Sequence, residues 1–257
     1  MSRTFTLRIA RSALPPDATT DARAFVDHEL ELEEGMTVLD ALETLRGTRE
    51  PGLRYRHSCH HGSCGTCGAI VNGREALMCL SRVADLLGTE APSASDAQGI
   101  VTVEPLRKMT ASGDLAVDPT PLFSSLPVEA VYLMASGLPH PADGLDYDGA
   151  PVEYRRFEAC IECGLCVSSC PVPADRPFSG PAALAMADRD REERPGRLDA
   201  ALAFAARPDG VAACDKAFAC SRVCPQGVAP GRRIENLRKS LAKNRDAAAK
   251  DGPGGAS

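Results

Sequence analysis

Residues 160–171 read CIECGLCVSSCP. Four cysteines and a proline spaced C-x2-C-x2-C-x3-C-P make one of the more specific short metal signatures. Three closely spaced thiolates cap three corners of an iron-sulfur cubane, and the fourth, held off by three residues, ligates a different cluster. Such runs work in pairs, and the partner here is CDKAFACSRVCP at 214–225. It keeps Cys214, Cys220, Cys224 and Pro225 in register but has Ala217 where the second thiolate belongs. By the crossing rule, Cys160, Cys163 and Cys166 take Cys224 as the fourth ligand of a complete 4Fe-4S cluster. Cys170, Cys214 and Cys220 remain for a cubane with one open corner, whose natural product is a 3Fe-4S cluster. Nothing else in the run has drifted, so the gap reads as a selected feature that changes cluster charge and potential. A 4Fe-4S cluster with water or hydroxide on its fourth iron is the competing reading.

Upstream, Cys59, Cys64 and Cys67 follow C-x4-C-x2-C and Cys79 stands later at a strand end, the plant-type spacing for a 2Fe-2S cluster. Gly62, Gly65 and Gly68 suit a loop that must take unusual backbone angles and bring N–H groups close to sulfur. A four-cysteine zinc site is the alternative, but zinc loops present paired C-x-x-C hooks. His60 and His61 invite a two-histidine Rieske reading; four cysteines already satisfy both irons, which leaves them as exposed loop histidines. The three sets absorb all 11 cysteines of the 257-residue chain.

An odd cysteine count argues against a closed disulfide framework, and MSRTFTLRIARS lacks the apolar core and cleavage site of a secretory leader. A reducing compartment is expected, where clustered thiols mean metal. No run approaches the roughly 18 apolar residues of a membrane span. The formal net charge of −6 argues against a nucleic-acid partner. The basic stretch RRIENLRKSLAKNR, 232–245, carries Ile234, Leu237 and Leu241 at helical spacing, as an amphipathic helix does. No glycine-rich phosphate loop is present. A chain that commits its thiols to clusters in this way is built to conduct electrons, with substrate chemistry in a partner.

The spacing of apolar residues predicts an α+β chain. RTFTLRIAR and HELELEE alternate as strands joined by a proline-containing loop, and from Thr37 the period changes to a helical stripe of Val38, Leu39, Leu42 and Leu45. Thr37 is placed to cap that helix, with Asp40 at its third position, and Gly47 to end it. Asn72-Gly73 signals a two-residue hairpin, and GIVTVEPL supplies a later strand. Beyond Tyr154 the strand signals stop, and GPAALAMADRDREE, RLDAALAFAA and GRRIENLRKSLAKNR read as helices. The expected organisation is a 2Fe-2S domain over 1–105, a linker over 106–153 with short helices such as PVEAVYLMASG, an all-α domain over 154–245 and a disordered tail over 246–257.

CHHGSCGTCG, CIECGLCVSSCP, FSGPAAL, CSRVCP and PLRKMTASGDLAVDP together make nearly the whole chain resemble the iron-sulfur subunit of succinate dehydrogenase and fumarate reductase, the respiratory complex II family of the tricarboxylic acid cycle. The resemblance implies a β-grasp plant-type ferredoxin domain followed by a bacterial-ferredoxin-like helical domain. It also implies an electron wire from a flavoprotein subunit, which alone holds FAD, through three clusters to a membrane quinone near the 3Fe-4S end. A cytochrome b type membrane-anchor subunit then holds the chain peripherally at the cytoplasmic face. The catalytic dicarboxylate site lies in the flavoprotein, and this chain contributes none of its residues.

The chain departs from that family at the quinone end. Where quinone-reactive members carry a Trp after the first Cys-Pro, a His after the first cysteine of the last run and a Lys after the last Cys-Pro, this chain has VPADRP, Asp215 and Gln226, with no Trp anywhere. Two alternatives follow: a related flavoprotein reductase with a non-quinone partner, of the thiol-dependent fumarate reductase type, or a non-catalytic metal-binding or redox-sensing module. Arg222, Arg232 and Arg233 could face lipid phosphates or remain solvated, and Leu165 and Phe218 are expected in the dry shell around the clusters.

Overall fold

The computed structural model describes residues 3–12, 23–88, 99–125, 160–193 and 195–251. The loop expected over 13–22, the short helix over 127–137 and the extreme tail over 252–257 lie outside the described residues. The chain divides into two compact units: the first runs to Pro121 and takes in Ile161–Ser169, and the second holds the other described residues from Leu122 onward.

In the first unit, β1 (Thr4–Ser12) and β2 (Arg23–Glu31) pair antiparallel along their full length. Strand β1 alternates as a half-buried strand should, with Phe5, Leu7 and Ile9 wholly buried between half-exposed Thr6 and Arg8. Arg8 donates both Nε and Nη2 to the Asp27 carboxylate at 2.7 Å, and the register sets these two residues directly opposite. Helix α1 (Val38–Thr48) starts at a complete capping box: Asp40 N donates to Thr37 Oγ1 while Thr37 N donates to Asp40 Oδ2. The helix runs one residue past Gly47 and is capped by Arg49. It buries Val38, Leu39, Ala41, Leu42 and Leu45, and each large aliphatic side chain taken from water contributes about 1.5–3 kcal/mol.

Strands β3 (Gly68–Val71) and β4 (Arg74–Leu77) form the hairpin expected at Asn72-Gly73, whose φ angles of 47° and 77° are those of a tight primed turn. A 3-10 turn, Met78–Leu80, carries Cys79, and the short α2 (Val83–Leu86) follows. Strand β5 (Ile100–Glu104) lies parallel to β1 and antiparallel to β3, so the mixed sheet runs β2-β1-β5-β3-β4. A small pair, β6 (Ala111–Gly113) and β7 (Ala116–Val117), occupies a stretch read as linker. It turns at buried Asp114, whose carboxylate accepts from Arg11 Nε at 3.0 Å and Arg54 N at 2.9 Å. Short α3 (Thr120–Ser125) follows. The segment Ile161–Ser169, with α4 (Leu165–Ser168), completes this unit.

The second unit is helical among its described residues: α5 (Gly180–Glu193), α6 (Leu198–Ala206), α7 (Ala219–Arg222) and α8 (Pro230–Asp251). Leu184, Ala187, Leu202, Ala205, Val211, Ile234 and Leu237 form its core. Asp188, fully buried on α5, accepts from Arg191 at 2.9 Å, Arg233 at 3.3 Å and Asn236 at 3.4 Å, which ties α5 to α8. Helix α8 continues through 246–251, a stretch read as tail, because DAAAKD is dominated by strong helix formers.

Candidate metal centres

In the first unit, the loop between α1 and β3 collects three of the expected 2Fe-2S thiols. His60, Gly62 and Gly65 take left-handed backbone angles of 62°, 77° and 71°, which turn the loop's N–H groups inward. Ser63 N and Cys64 N each donate to Cys59 Sγ at 3.3 Å, Cys59 N donates to Cys64 Sγ at 3.4 Å, and Thr66 Oγ1 lies 3.1 Å from Cys64 Sγ. The fourth thiol, Cys79, arrives on the turn after β4, with its sulfur 3.3 Å from that of Cys67 and both residues buried. That separation is well beyond a disulfide bond and close to the edge between two thiolates on one tetrahedral metal. No disulfide joins any of the 11 cysteines.

Two electrostatic environments result. The Ser63 hydroxyl and then the His61 backbone N–H hold Cys59 down at about 5, so its sulfur is ready as a thiolate. Burial pushes Cys67 up to about 12, so without a cation to share its charge that thiol stays protonated. A half-buried Cys59 in an N–H-lined loop, set against the buried Cys67 and Cys79, is a donor set that fits an iron-sulfur cluster with a wetter and a drier side.

The loop histidines are engaged rather than free. His61 Nε2 shares a hydrogen bond with Ser63 Oγ at 2.9 Å. His57 Nδ1, His60 Nε2 and Glu43 Oε1 stand 3.2–3.5 Å from one another. This trio has the composition of a cation site, but Arg46 Nη2 lies 3.2 Å from His57 Nε2. A guanidinium can only donate, so Nε2 accepts, Nδ1 keeps its proton, and the trio works as a hydrogen-bond network behind Cys59. Glu43, Arg46 and His57 could not be read in this role from spacing, because their meeting depends on the approach of α1 to the loop.

The first cubane run has two left-handed residues, Glu162 at φ 52° and Gly164 at φ 76°, on either side of Cys163. Gly65 faces this run within the first unit: a Cβ there would stand 2.3 Å from the Ile161 carbonyl oxygen. Cys163 and Cys166 belong to the first unit, while Cys160 and Cys224 belong to the second. Leu165 is fully buried, as a shell residue should be.

In the second unit, Cys170, Cys214 and Cys220 line one pocket together with Ala217. The pocket includes about 280 Å³ of space free of protein atoms, part of it open to solvent, and its walls are largely apolar: Pro171, Val172, Phe178 and Ile234. Burial, and then the Cys170 and Cys214 thiols beside it, push the Cys220 thiol up. The backbone of the run repeats that of the first. Lys216 and Phe218, on either side of Ala217, sit at φ 58° and 56°, in register with Glu162 and Gly164 around Cys163. Ala217 thus stands between the same two left-handed residues as Cys163 but has no thiol. Phe218 takes this strained conformation where the first run has glycine. It is also 42 % exposed, so it is a wall at the pocket mouth and not the dry shell expected of it.

The basic residues near this run are largely paired. Arg222 Nη1 donates to the Ala217 carbonyl at 2.9 Å, and Arg233 pairs with Asp188 and Glu192. Asp215, next to Cys214, accepts from Arg176 Nη2 at 2.6 Å.

Two family models match the chain: a 2Fe-2S iron-sulfur cluster binding domain over residues 6–124 and a 4Fe-4S dicluster domain over residues 156–228. The fumarate reductase iron-sulfur subunit of Mycobacterium tuberculosis is 35% identical over 228 residues, covering 86% of this chain and 87% of the relative. The mitochondrial succinate dehydrogenase iron-sulfur subunit of Candida glabrata is 28% identical and covers 88% of each chain. Among solved structures, a chain of the Mycobacterium smegmatis Sdh1 complex in the apo form matches with a TM-score of 0.66 and 26% identity, over 95% of this chain and 98% of that one. The chain belongs to the family of iron-sulfur subunits of succinate dehydrogenase and fumarate reductase, the electron-carrying chains of these oxidoreductases.

Proposed function

We propose that the 11 cysteines divide as Cys59, Cys64, Cys67 and Cys79 for a 2Fe-2S cluster; Cys160, Cys163, Cys166 and Cys224 for a 4Fe-4S cluster; and Cys170, Cys214 and Cys220 for a 3Fe-4S cluster. When bound, the clusters supply reversible one-electron carriers, so that a two-electron flavin can exchange electrons singly with a distant acceptor. The observation that carries the reading is the pocket that gathers Cys170, Cys214 and Cys220 around Ala217. In this reading the residues upstream of 106 form a β-grasp ferredoxin domain and those over 154–245 a bacterial-ferredoxin-like domain.

The work of the protein's own residues is to hold sulfur, order N–H groups toward it and exclude water. Ser63 and Cys64 N–H groups stabilise charge on Cys59, which suits the wetter side of the first centre. Cys67 and Cys79 supply its buried side. At the other end, Val172, Phe178 and Ile234 keep the third pocket apolar.

The partners in this reading are an FAD-containing flavoprotein at the 2Fe-2S end and a membrane anchor with quinone at the 3Fe-4S end, on the cytoplasmic face. No helix among the described residues is long and apolar enough to cross a membrane, which fits a peripheral subunit held by an anchor. The test is reconstitution with an FAD-containing flavoprotein subunit of this family. Succinate should bleach the visible iron-sulfur absorption and fumarate should restore it; clusters that respond to neither dicarboxylate would sink the assignment.

The Arg176–Asp215 ion pair supports a second reading of the acceptor alone. This ion pair joins VPADRP to Asp215, two places where the chain departs from the quinone-reactive pattern, and sets charge beside the third pocket, as suits a non-quinone acceptor. Oxidation of the reduced complex by a membrane-soluble quinone, compared with a soluble disulfide, separates the two.

A further inference from the structure

The loop of residues 211–218 carries Cys214 and Ala217, and its carbonyl groups are held from outside by three arginines that lie far apart in sequence. Arg176 Nη2 donates to Ala213 O at 3.2 Å as well as to Asp215 Oδ1 at 2.6 Å. Arg238 Nη2 donates to Val211 O at 2.5 Å and to Cys214 O at 3.1 Å. Arg222 Nη1 donates to Ala217 O at 2.9 Å. Four carbonyls of one short loop are thus bound to guanidinium groups. Lys216 N, by contrast, donates to Cys214 Sγ at 3.4 Å.

This arrangement has two physical consequences. Left-handed angles at Lys216 and Phe218 are unfavourable for residues with a Cβ and persist only where surroundings enforce them; the guanidinium groups provide that enforcement. They also set three guanidinium groups beside the loop, of which Arg176 is partnered by Asp215 and Arg238 by Glu235, while the Lys216 N–H points at Cys214 Sγ. Reduction adds one negative charge to a cluster, and nearby cations and N–H dipoles favour that charge.

We infer that Arg176, Arg222 and Arg238 are positioning residues for the third centre: they brace its loop and raise its reduction potential, while Asp215 and Glu235 offset part of the charge of Arg176 and Arg238. The inference rests on the reading that Cys170, Cys214 and Cys220 hold a 3Fe-4S cluster.

The test uses the Arg176–Asp215 pair, because both side chains are half-exposed, at 42 % and 44 %, and neither is part of the core. In the intact complex, the midpoint potentials of the three-iron and 2Fe-2S signals are measured by EPR-monitored redox titration for the wild type, R176Q and D215N. Either substitution breaks the same ion pair, so a purely structural role moves both variants alike. The electrostatic role moves them oppositely: the three-iron midpoint falls in R176Q and rises in D215N, while the 2Fe-2S midpoint stays at its wild-type value. R176K, which keeps the charge without the planar fork, shifts less than R176Q. Midpoints that do not move, or that move in one direction in both variants, overturn the inference. A wild type with no three-iron signal overturns the ligand reading beneath it, a distinct result.

Discussion

Ser168 Oγ donates to Glu75 Oε1 at 3.0 Å, with Ser168 2 % and Glu75 7 % exposed. The same hydroxyl accepts from Arg107 N at 3.0 Å, and Arg107 Nη1 reaches Glu75 Oε1 at 3.4 Å. A serine between the cysteines of the first cubane run therefore helps satisfy a buried carboxylate on β4. Ser168→Ala removes that donor and leaves Glu75 short of a partner, which is expected to destabilise the first unit by about 1–3 kcal/mol. A lowered thermal midpoint in the intact chain checks it; an unchanged midpoint means water replaces the hydroxyl.

Two glycines with similar left-handed angles respond differently to one methyl group. At Gly73, φ 77°, an added Cβ meets nothing within 4 Å, so Gly73→Ala costs only the conformational strain, about 1–2 kcal/mol. At Gly65, φ 71°, it would meet the Ile161 carbonyl oxygen at 2.3 Å and Cys163 Cβ at 3.0 Å. Gly65→Ala is therefore expected to displace the cysteine loop and lower 2Fe-2S occupancy, read from the visible spectrum and iron content, while Gly73→Ala retains both.

Much of the first unit was legible because its signals are local. The alternation of Phe5, Leu7 and Ile9, the Thr37–Asp40 box and Asn72-Gly73 each specify structure within a few residues. The pair β6–β7 was not legible: its strands are very short, and its turn is held by Arg11 and Arg54, which are remote in sequence from Asp114. Spacing alone sorts the cysteines into the three proposed ligand sets. It could not name Arg176 and Arg238, which reach residues 213 and 214 across 37 and 24 positions, nor the Glu43–His57–His60 network. The left-handed angles at Lys216 and Phe218 were equally hidden, because neither residue type favours them.

The carboxyl of Asp188 is raised by burial, which outweighs the opposing hydrogen bond and charge of Arg191. A carboxyl with a folded pKa above its unfolded value binds more protons in the folded state. Its contribution to stability therefore falls as pH rises above about 4, through the folded pKa. Relative to Asp188→Asn, the wild type should thus gain stability on acidification through that window. Asp188→Ala removes the buried acceptor shared by Arg191, Arg233 and Asn236 while Glu192 still partners both arginines, and is expected to cost about 1–3 kcal/mol at neutral pH. Denaturant midpoints across pH for the three proteins decide both points; a wild type that loses stability relative to the Asn variant on acidification reverses the sign.

Ala217→Cys supplies a thiolate between two residues whose left-handed angles repeat those flanking Cys163. The oxidised three-iron EPR signal is expected to disappear and iron content to rise by about one atom per chain, as a cubane gains its fourth corner. A three-iron signal that survives the substitution means that the 217 side chain does not face the open corner.

The most direct measurement is low-temperature EPR with iron analysis on the anaerobically purified wild-type protein, first oxidised and then stepwise reduced. A three-iron signal is expected in the oxidised state, a 2Fe-2S signal on reduction, and about nine iron atoms per chain. An oxidised sample with no three-iron signal, and iron sufficient for two complete cubanes, would contradict the 3Fe-4S assignment.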